Sequence, residues 1–239
     1  PHIAVGRTPR ASHITILPLA ESFVLRHNTY IVKILAVSAE VVERLYTLCA
    51  SGHFREIELI LGCCDLPYPY LENLLTFLNV PLFYVPGNHD PNYNADNTLA
   101  HVEGGSNLDL KAVRFKRFLI GGFGGSVQYR PNVANQYSQS EAYWRAFRML
   151  PRLLINQVKY RLALDVLITH SPPFRIHDDD TQAHQGLKAI NWLLRVAKPR
   201  YHFHGHTHFQ RGNLSPSETI HDLTKIINVF PYKIVEIHH

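Results

Sequence analysis

An α/β architecture with helices covering buried strands is the fold class this sequence predicts, and three observations carry it. Short apolar runs rich in β-branched residues recur along the chain. Segments of helical spacing separate the first of them, so the early part reads β-α-β-α-β. The chain then closes on two adjacent apolar runs, which fit an antiparallel or mixed sheet. At 239 residues there is enough chain for one large domain.

The first strand is expected at Ile31–Ser38 (IVKILAVS). Further strands follow at Ile57–Gly62, Pro81–Val85, Arg117–Gly122, Asp165–Thr169 and Arg200–His204. The closing pair is Lys225–Phe230 and Tyr232–Ile237, with Pro231 as a break or turn. Helices are expected at Val41–Ala50, where Val41, Val42, Leu45 and Leu48 fall on one face, and at Tyr70–Leu78. Glu141–Tyr160 reads as a helix broken or kinked at Pro151, and Gly186–Ala197 as another. Residues 1–30 include HITILPL, a candidate extra strand. Thirty residues cannot bury a core alone. They are therefore read as an extension of a single domain spanning 1–239.

Hydrophobic residues make up 46% and charged residues 18%, which excludes a disordered or collagen-like chain. No apolar run approaches the roughly 18 residues of a membrane span, and no membrane partner is expected. Pro1–Ala20 lacks a continuous apolar stretch, so no secretory signal is expected. Cys49, Cys63 and Cys64 form neither a disulfide framework nor a zinc pattern, and a reducing cytoplasm fits them. The net charge of +5 suits an anionic ligand. It is too small and scattered for nucleic-acid binding, and no basic stripe with interleaved aromatics supports that role.

Sixteen histidines raise the question of a metal. His238 and His239 resemble a tag remnant, but others sit at strand ends. LILGCCDLP ends at Asp65. PLFYVPGNHD crowds Asn88, His89 and Asp90 after Gly87. LITHSPP places His170 past a strand. YHFHGHTH carries His204, His206 and His208 around Gly205. Each feature alone is ordinary; the conjunction points to a ligand site at the carboxyl ends of strands on one sheet edge. Oxygen and imidazole donors without thiolate suit Mn²⁺, Fe or Zn²⁺. Two further stretches border this region, the glycine-rich Gly121–Gly125 and the acidic loop from His177 to Asp180 with His184. The glycines allow close backbone approach to a ligand or a simple turn. The acidic loop reads as a solvated cap or as a lid.

In this order the motifs resemble the calcineurin-like metallophosphoesterase family. Gly87-Asn88-His89-Asp90 and Gly205-His206-Thr207-His208 are complete matches. Thr169-His170 is less specific, and in Gly62-Cys63-Cys64-Asp65 a cysteine precedes the aspartate where glycine is usual. The resemblance implies a four-layer α/β/β/α sandwich and a metal-dependent phosphoester hydrolase, acting on monoesters or diesters. It implies Asp65 as a bridging metal ligand, with Asn88, His170 and His206 completing one position and His208 belonging to the other. It implies His89 as the catalytic histidine and Asp90 as its orienting partner. The first family motif, Asp-x-His, is replaced by Ala39-Glu40-Val41. One well-held ion per chain, Mn²⁺ foremost, is therefore expected. The other reading is a degenerate member serving as a protein-binding scaffold. Substrate and oligomeric state are not legible.

Overall fold

The computed structural model describes residues 30–94, 98–208 and 216–239. The expected extension at 1–29, with its HITILPL strand, lies outside them. The first half runs β1 (Ile31–Val37), α1 (Arg44–Ala50), β2 (Leu59–Gly62), α2 (Tyr68–Leu78), β3 (Leu82–Tyr84) and β4 (Ser106–Asn107). It continues with β5 (Ala112–Phe115), β6 (Phe118–Phe123), β7 (Ser126–Val127), β8 (Gln136–Tyr137), α3 (Gln139–Phe147) and α4 (Leu150–Tyr160). The last part holds β9 (Val166–Thr169), a 3₁₀ turn at Gln182–His184, α5 (Lys188–Ala197) and β10 (Tyr201–His204). It ends with β11 (Glu218–His221), β12 (Thr224–Asn228) and β13 (Tyr232–His238).

These strands form two main sheets, ordered β13-β1-β2-β3-β4 and β11-β12-β10-β9-β6-β5. β1, β2, β3 and β4 are parallel, and β13 runs antiparallel to β1. In the second sheet β9 lies between β6 and β10, parallel to both.

Period-two alternation sorts the side chains into layers. Ile34, Ala36, Leu59 and Leu61 of the first sheet meet Phe118, Ile120, Ile168 and Phe203 of the second in one buried core. The intervening residues Leu35, Val37 and Ile60 face outward under α1 and α2. On the far side Leu119, Phe123 and Leu167 pack under Ala142, Ala146, Leu153, Ile190 and Leu193 of α3, α4 and α5. The result is the expected α/β/β/α sandwich.

Several boundaries differ from expectation for local reasons. α1 begins at Arg44 because Ala39 takes a left-handed conformation (φ 64°) and turns the chain sharply after β1. The expected long helix is two. Its first half starts with a capping box between Ser138 and Glu141. Pro151 falls in the first turn of the second half, where its missing N–H costs nothing. Asp109 grips Arg145 of α3 with both carboxylate oxygens at 2.9 and 2.7 Å. The glycines of β6 serve packing instead of a ligand: a Cβ at Gly122 would stand 2.7 Å from the Leu108 carbonyl oxygen.

The inter-sheet core sets the spacing on which the strand ends depend. Truncating Leu61, fully buried in it, is expected to cost about 2–5 kcal/mol. Urea unfolding of Leu61→Ala against the parent checks this; a midpoint unchanged within error would contradict the layering.

Candidate metal centre

The carboxyl ends of β2, β3, β9 and β10 meet at one end of the sandwich. The sequence reading placed their donors on one sheet edge; they come instead from two sheets that face each other. β2 leads to Asp65, β3 to Asn88, β9 to His170 and β10 to His206. Asp65 and His206 both have left-handed backbones (φ 59° and 65°), which swing their side chains inward past the ends of their strands. Gly87 makes room for the Asp65 carboxylate, and Gly205 for the Ser38 hydroxyl at the end of β1. A Cβ at Gly87 would lie 2.0 Å from Asp65 Oδ1, and one at Gly205 would lie 1.7 Å from Ser38 Oγ. Here the glycines of the two complete motifs have a steric reason.

Hydrogen bonds at the back of each donor fix what it presents to the front. His170 Nδ1 lies 2.7 Å from the Cys63 carbonyl oxygen. A carbonyl can only accept, so Nδ1 carries the proton and Nε2 of the neutral ring is a lone pair. His206 Nε2 lies 2.7 Å from the Ala183 carbonyl oxygen, which leaves Nδ1 as the lone pair. Asn88 Nδ2 donates to the Tyr129 hydroxyl at 3.1 Å, which turns Oδ1 inward. The His89 backbone N–H donates to Asp65 Oδ1 at 2.8 Å and leaves Oδ2 facing the site.

Four lone-pair donors therefore converge. His170 Nε2 is 3.0 Å from Asn88 Oδ1, 3.0 Å from His206 Nδ1 and 3.3 Å from Asp65 Oδ2. Lone pairs this close repel unless a proton or a cation lies among them. Backbone carbonyls behind imidazoles are the usual support for metal-ligating histidines. Asp65, His170 and His206 form a group able to hold a metal ion, with ligand atoms all within 4.8 Å of one another. The donor set fits a divalent cation that accepts nitrogen and oxygen.

The electrostatics tie Asp65 to His170 as an ion pair. Burial would raise the Asp65 carboxyl, but His170 and the His89 N–H outweigh it and hold the group well below the usual carboxylate range. Burial opposes protonation of His170, yet Asp65 beside it raises its pKa. Burial, reinforced by His170, pushes His206 down to about 3, so that ring stays neutral.

The other expected residues take distinct places. His208 lines the same cavity with its ring stacked on Phe230 at 4.4 Å, and stands outside the Asp65–His170–His206 group. His89 also lines the cavity, with an exposed side chain. Asp90 does not hold the His89 ring. Its Oδ2 accepts from the backbone N–H of Gly87 at 2.7 Å and of Asp65 at 3.2 Å, tying two ligand loops together. Burial pushes its pKa up to about 6. Ala39 borders the cavity where the first motif would put a carboxylate, while Glu40 and Val41 are exposed and absent from its lining. His204, which shares the period of His206 and His208, is fully buried and bonds to His177 at 2.9 Å.

Sequence reasoning missed Tyr129 and the Ala183 carbonyl. Tyr129 lies between short strands with no periodic signal, and a backbone carbonyl has no sequence signature. His184 of the acidic loop lines the cavity, as the lid reading of that loop allowed.

Residues 40–210 match the calcineurin-like phosphoesterase family. The chain belongs to that family and carries a partial version of its metal-binding site, with Asp65, His170 and His206 brought together. No curated protein sequence matches it. Among solved structures, one crystal structure aligns at a TM-score of 0.56 and 13% identity, covering 87% of this chain and 99% of its own. The crystal structure of TT1561 of Thermus thermophilus aligns at a TM-score of 0.54 and 15% identity, covering 84% of this chain and 89% of its own. These likenesses show a shared fold. No helix among the described residues is long and apolar enough to cross a membrane.

Tyr129 lines the cavity and its hydroxyl accepts from Asn88 Nδ2, so it orients the Asn88 donor oxygen. Tyr129→Phe is expected to weaken Mn²⁺ affinity by about 10-fold, the lower end for such supporting contacts, with the fold intact. Calorimetric titration of Mn²⁺ measures it; an unchanged affinity would show that Asn88 needs no such support.

Proposed function

We propose that this protein is a metal-dependent phosphoester hydrolase that holds one divalent ion firmly per chain. The convergence of Asp65 Oδ2, Asn88 Oδ1, His170 Nε2 and His206 Nδ1 is the observation that carries this reading. These four residues are the proposed ligands. Asp65 and His208 are what remains of a second position, since Ala39 and Val41 offer no donor. The mixed oxygen and nitrogen set suits Mn²⁺, with Fe or Zn²⁺ compatible. When bound, the ion supplies a Lewis acid that polarises a phosphoryl oxygen and makes water more acidic.

The chain's own groups do the rest. His89 is placed at the cavity by its backbone bond to Asp65 while its ring stays open to solvent. We assign it proton donation to the leaving oxygen, or stabilisation of phosphoryl charge. Asp90 acts as a positioning residue through the Gly87 and Asp65 amides. The cavity, about 310 Å³, lies at the small end of ligand sites and favours a small-molecule phosphoester. Three buried free thiols suit a reducing, cytoplasmic setting.

Two measurements test this reading. His89→Ala is expected to lower turnover of an aryl phosphodiester in Mn²⁺ by about 10²–10⁴-fold while leaving metal content unchanged. Loss of metal, or full activity, would remove His89 from that role. A parent protein that binds Mn²⁺ yet hydrolyses neither monoesters nor diesters would favour the scaffold reading instead. The second test is Ala39→Asp. The left-handed backbone at this position tolerates aspartate better than alanine. The substitution is expected to raise both metal per chain and hydrolysis. Elemental analysis and initial rates that stay at the parent's level would mean that the missing carboxylate does not belong at residue 39.

A further inference from the structure

We propose that the outward faces of α3 and α4 form a peripheral docking surface for an anionic lipid bilayer. This inference is independent of the metal centre. Both helices bury one face in the same core over the six-stranded sheet, through Ala142 and Ala146 on α3 and Leu153 on α4. Their opposite faces consequently look the same way, away from the protein. Both faces expose large apolar side chains. Trp144 is 73% exposed, Leu154 61%, Ile155 55% and Val158 80%. On α4, the residues Leu154, Ile155 and Val158 cluster within an arc of about 100° opposite Leu153, at about 100° per residue. Phe147 extends the apolar surface toward α5, its ring 6.0 Å from Trp144 and 4.8 Å from Trp192.

The charge around this face decides the partner. α3 carries one acidic residue, Glu141, which is engaged in the capping box with Ser138, and from Ala142 to Leu164 the chain has five basic residues and no acidic one. Arg145 is spent on Asp109. Arg148, Arg152 and Lys159 are exposed, and among the described residues none of them forms a salt bridge. Arg152 and Lys159 flank Ile155 on the helix, and Arg148 lies one turn beyond Trp144. A twofold pairing of this face with a second copy would set these cations against each other. An anionic surface that accepts apolar side chains satisfies both features at once. Helices that lie in the bilayer interface combine Trp, Leu and Ile on one side with Arg and Lys at the edge. Such a contact is peripheral. The length of apolar runs, which led to the expectation of no membrane partner, is blind to it.

The test is co-sedimentation of the full chain with vesicles of phosphatidylcholine alone and of equal parts phosphatidylcholine and phosphatidylserine. Binding is expected only to the anionic vesicles, weakening with salt, together with a blue shift of tryptophan emission. Each basic residue near an anionic surface is worth about fivefold, so Arg148→Ala with Arg152→Ala should weaken binding about 25-fold. Leu154→Ser with Val158→Ser should abolish the emission shift while the circular dichroism melt stays that of the parent. If that pair fails to fold, the arginine pair and its salt dependence decide alone. No binding to anionic vesicles at low salt would overturn the proposal, as would binding that neither pair diminishes. Self-association lost in the Leu154/Val158 variant without vesicle binding would overturn it too, and would assign the face to a second copy.

Discussion

One hydrogen bond joins the two sheets at the point where the chemistry sits. His170 stands at the end of β9 in the six-stranded sheet and donates from Nδ1 to the carbonyl of Cys63, at the end of β2 in the other. Stacked sheets lie about 10 Å apart, so a side chain reaches across only where the strands end in register and their backbones turn inward. The same bond dictates the tautomer, and hence that Nε2 confronts Asp65 and Asn88 as a lone pair. Neighbouring backbone bonds brace the junction: Gly205 N–H to the His170 carbonyl, and Ala39 N–H to the Cys64 carbonyl. A slip of one residue in β9 would turn His170 to the helical side. The core of Leu61, Ile168 and Phe203 thus keeps the donor set intact at a distance.

The same junction shows what the chain gives up in its first motif. Ala39 occupies a left-handed conformation that alanine adopts at a cost of about 1–2 kcal/mol. For aspartate and asparagine the cost is lower, because their short polar chains can bond locally. The backbone at the end of β1 therefore retains the shape of a turn suited to a ligand, while the side chain is a methyl group. On this side of the cavity Ala39 therefore supplies a turn but no donor atom.

Much of this was legible in the sequence. Seven of the eight expected strands reveal themselves because buried parallel strands read as short, continuous apolar runs, and β13, antiparallel to β1, shows as a β-branched run after Pro231. β4, β7 and β8 escaped because two-residue strands have no period. β5 and β11 escaped because edge strands carry Arg114, Glu218 and His221 among their apolar residues. Asp65, Asn88, His170 and His206 could be named from motif and strand-end position. Their division between two sheets could not, since strand order across a sandwich leaves no local trace. The role expected for Asp90 failed for a related reason. Sequence adjacency to His89 suggests a ring contact, but the chain doubles back and presents its carboxylate to two amides.

The histidines mark the limit of pattern reading most sharply. His204 and His206 share a spacing and a motif, yet the strand ends between them and the left-handed backbone at His206 sends its ring elsewhere. His204 joins a buried relay in which His177 bridges it to the Thr219 hydroxyl at 2.7 Å, while His202 meets the Thr169 hydroxyl at 2.8 Å. Burial pushes His177 down to about 4 and His202 to about 3, so those rings are neutral packing elements. His206 is equally neutral and nearly as buried. What separates a ligand from a structural histidine here is therefore neither burial nor pKa, but what its second nitrogen faces. In the relay, the inner nitrogen of His177 meets that of His204, and a single proton satisfies both. In the metal centre the nitrogens of His170 and His206 meet each other together with two further oxygen acceptors. A proton on His170 Nε2 leaves the other three acceptors sharing one hydrogen, whereas a divalent cation can take up all four lone pairs at once.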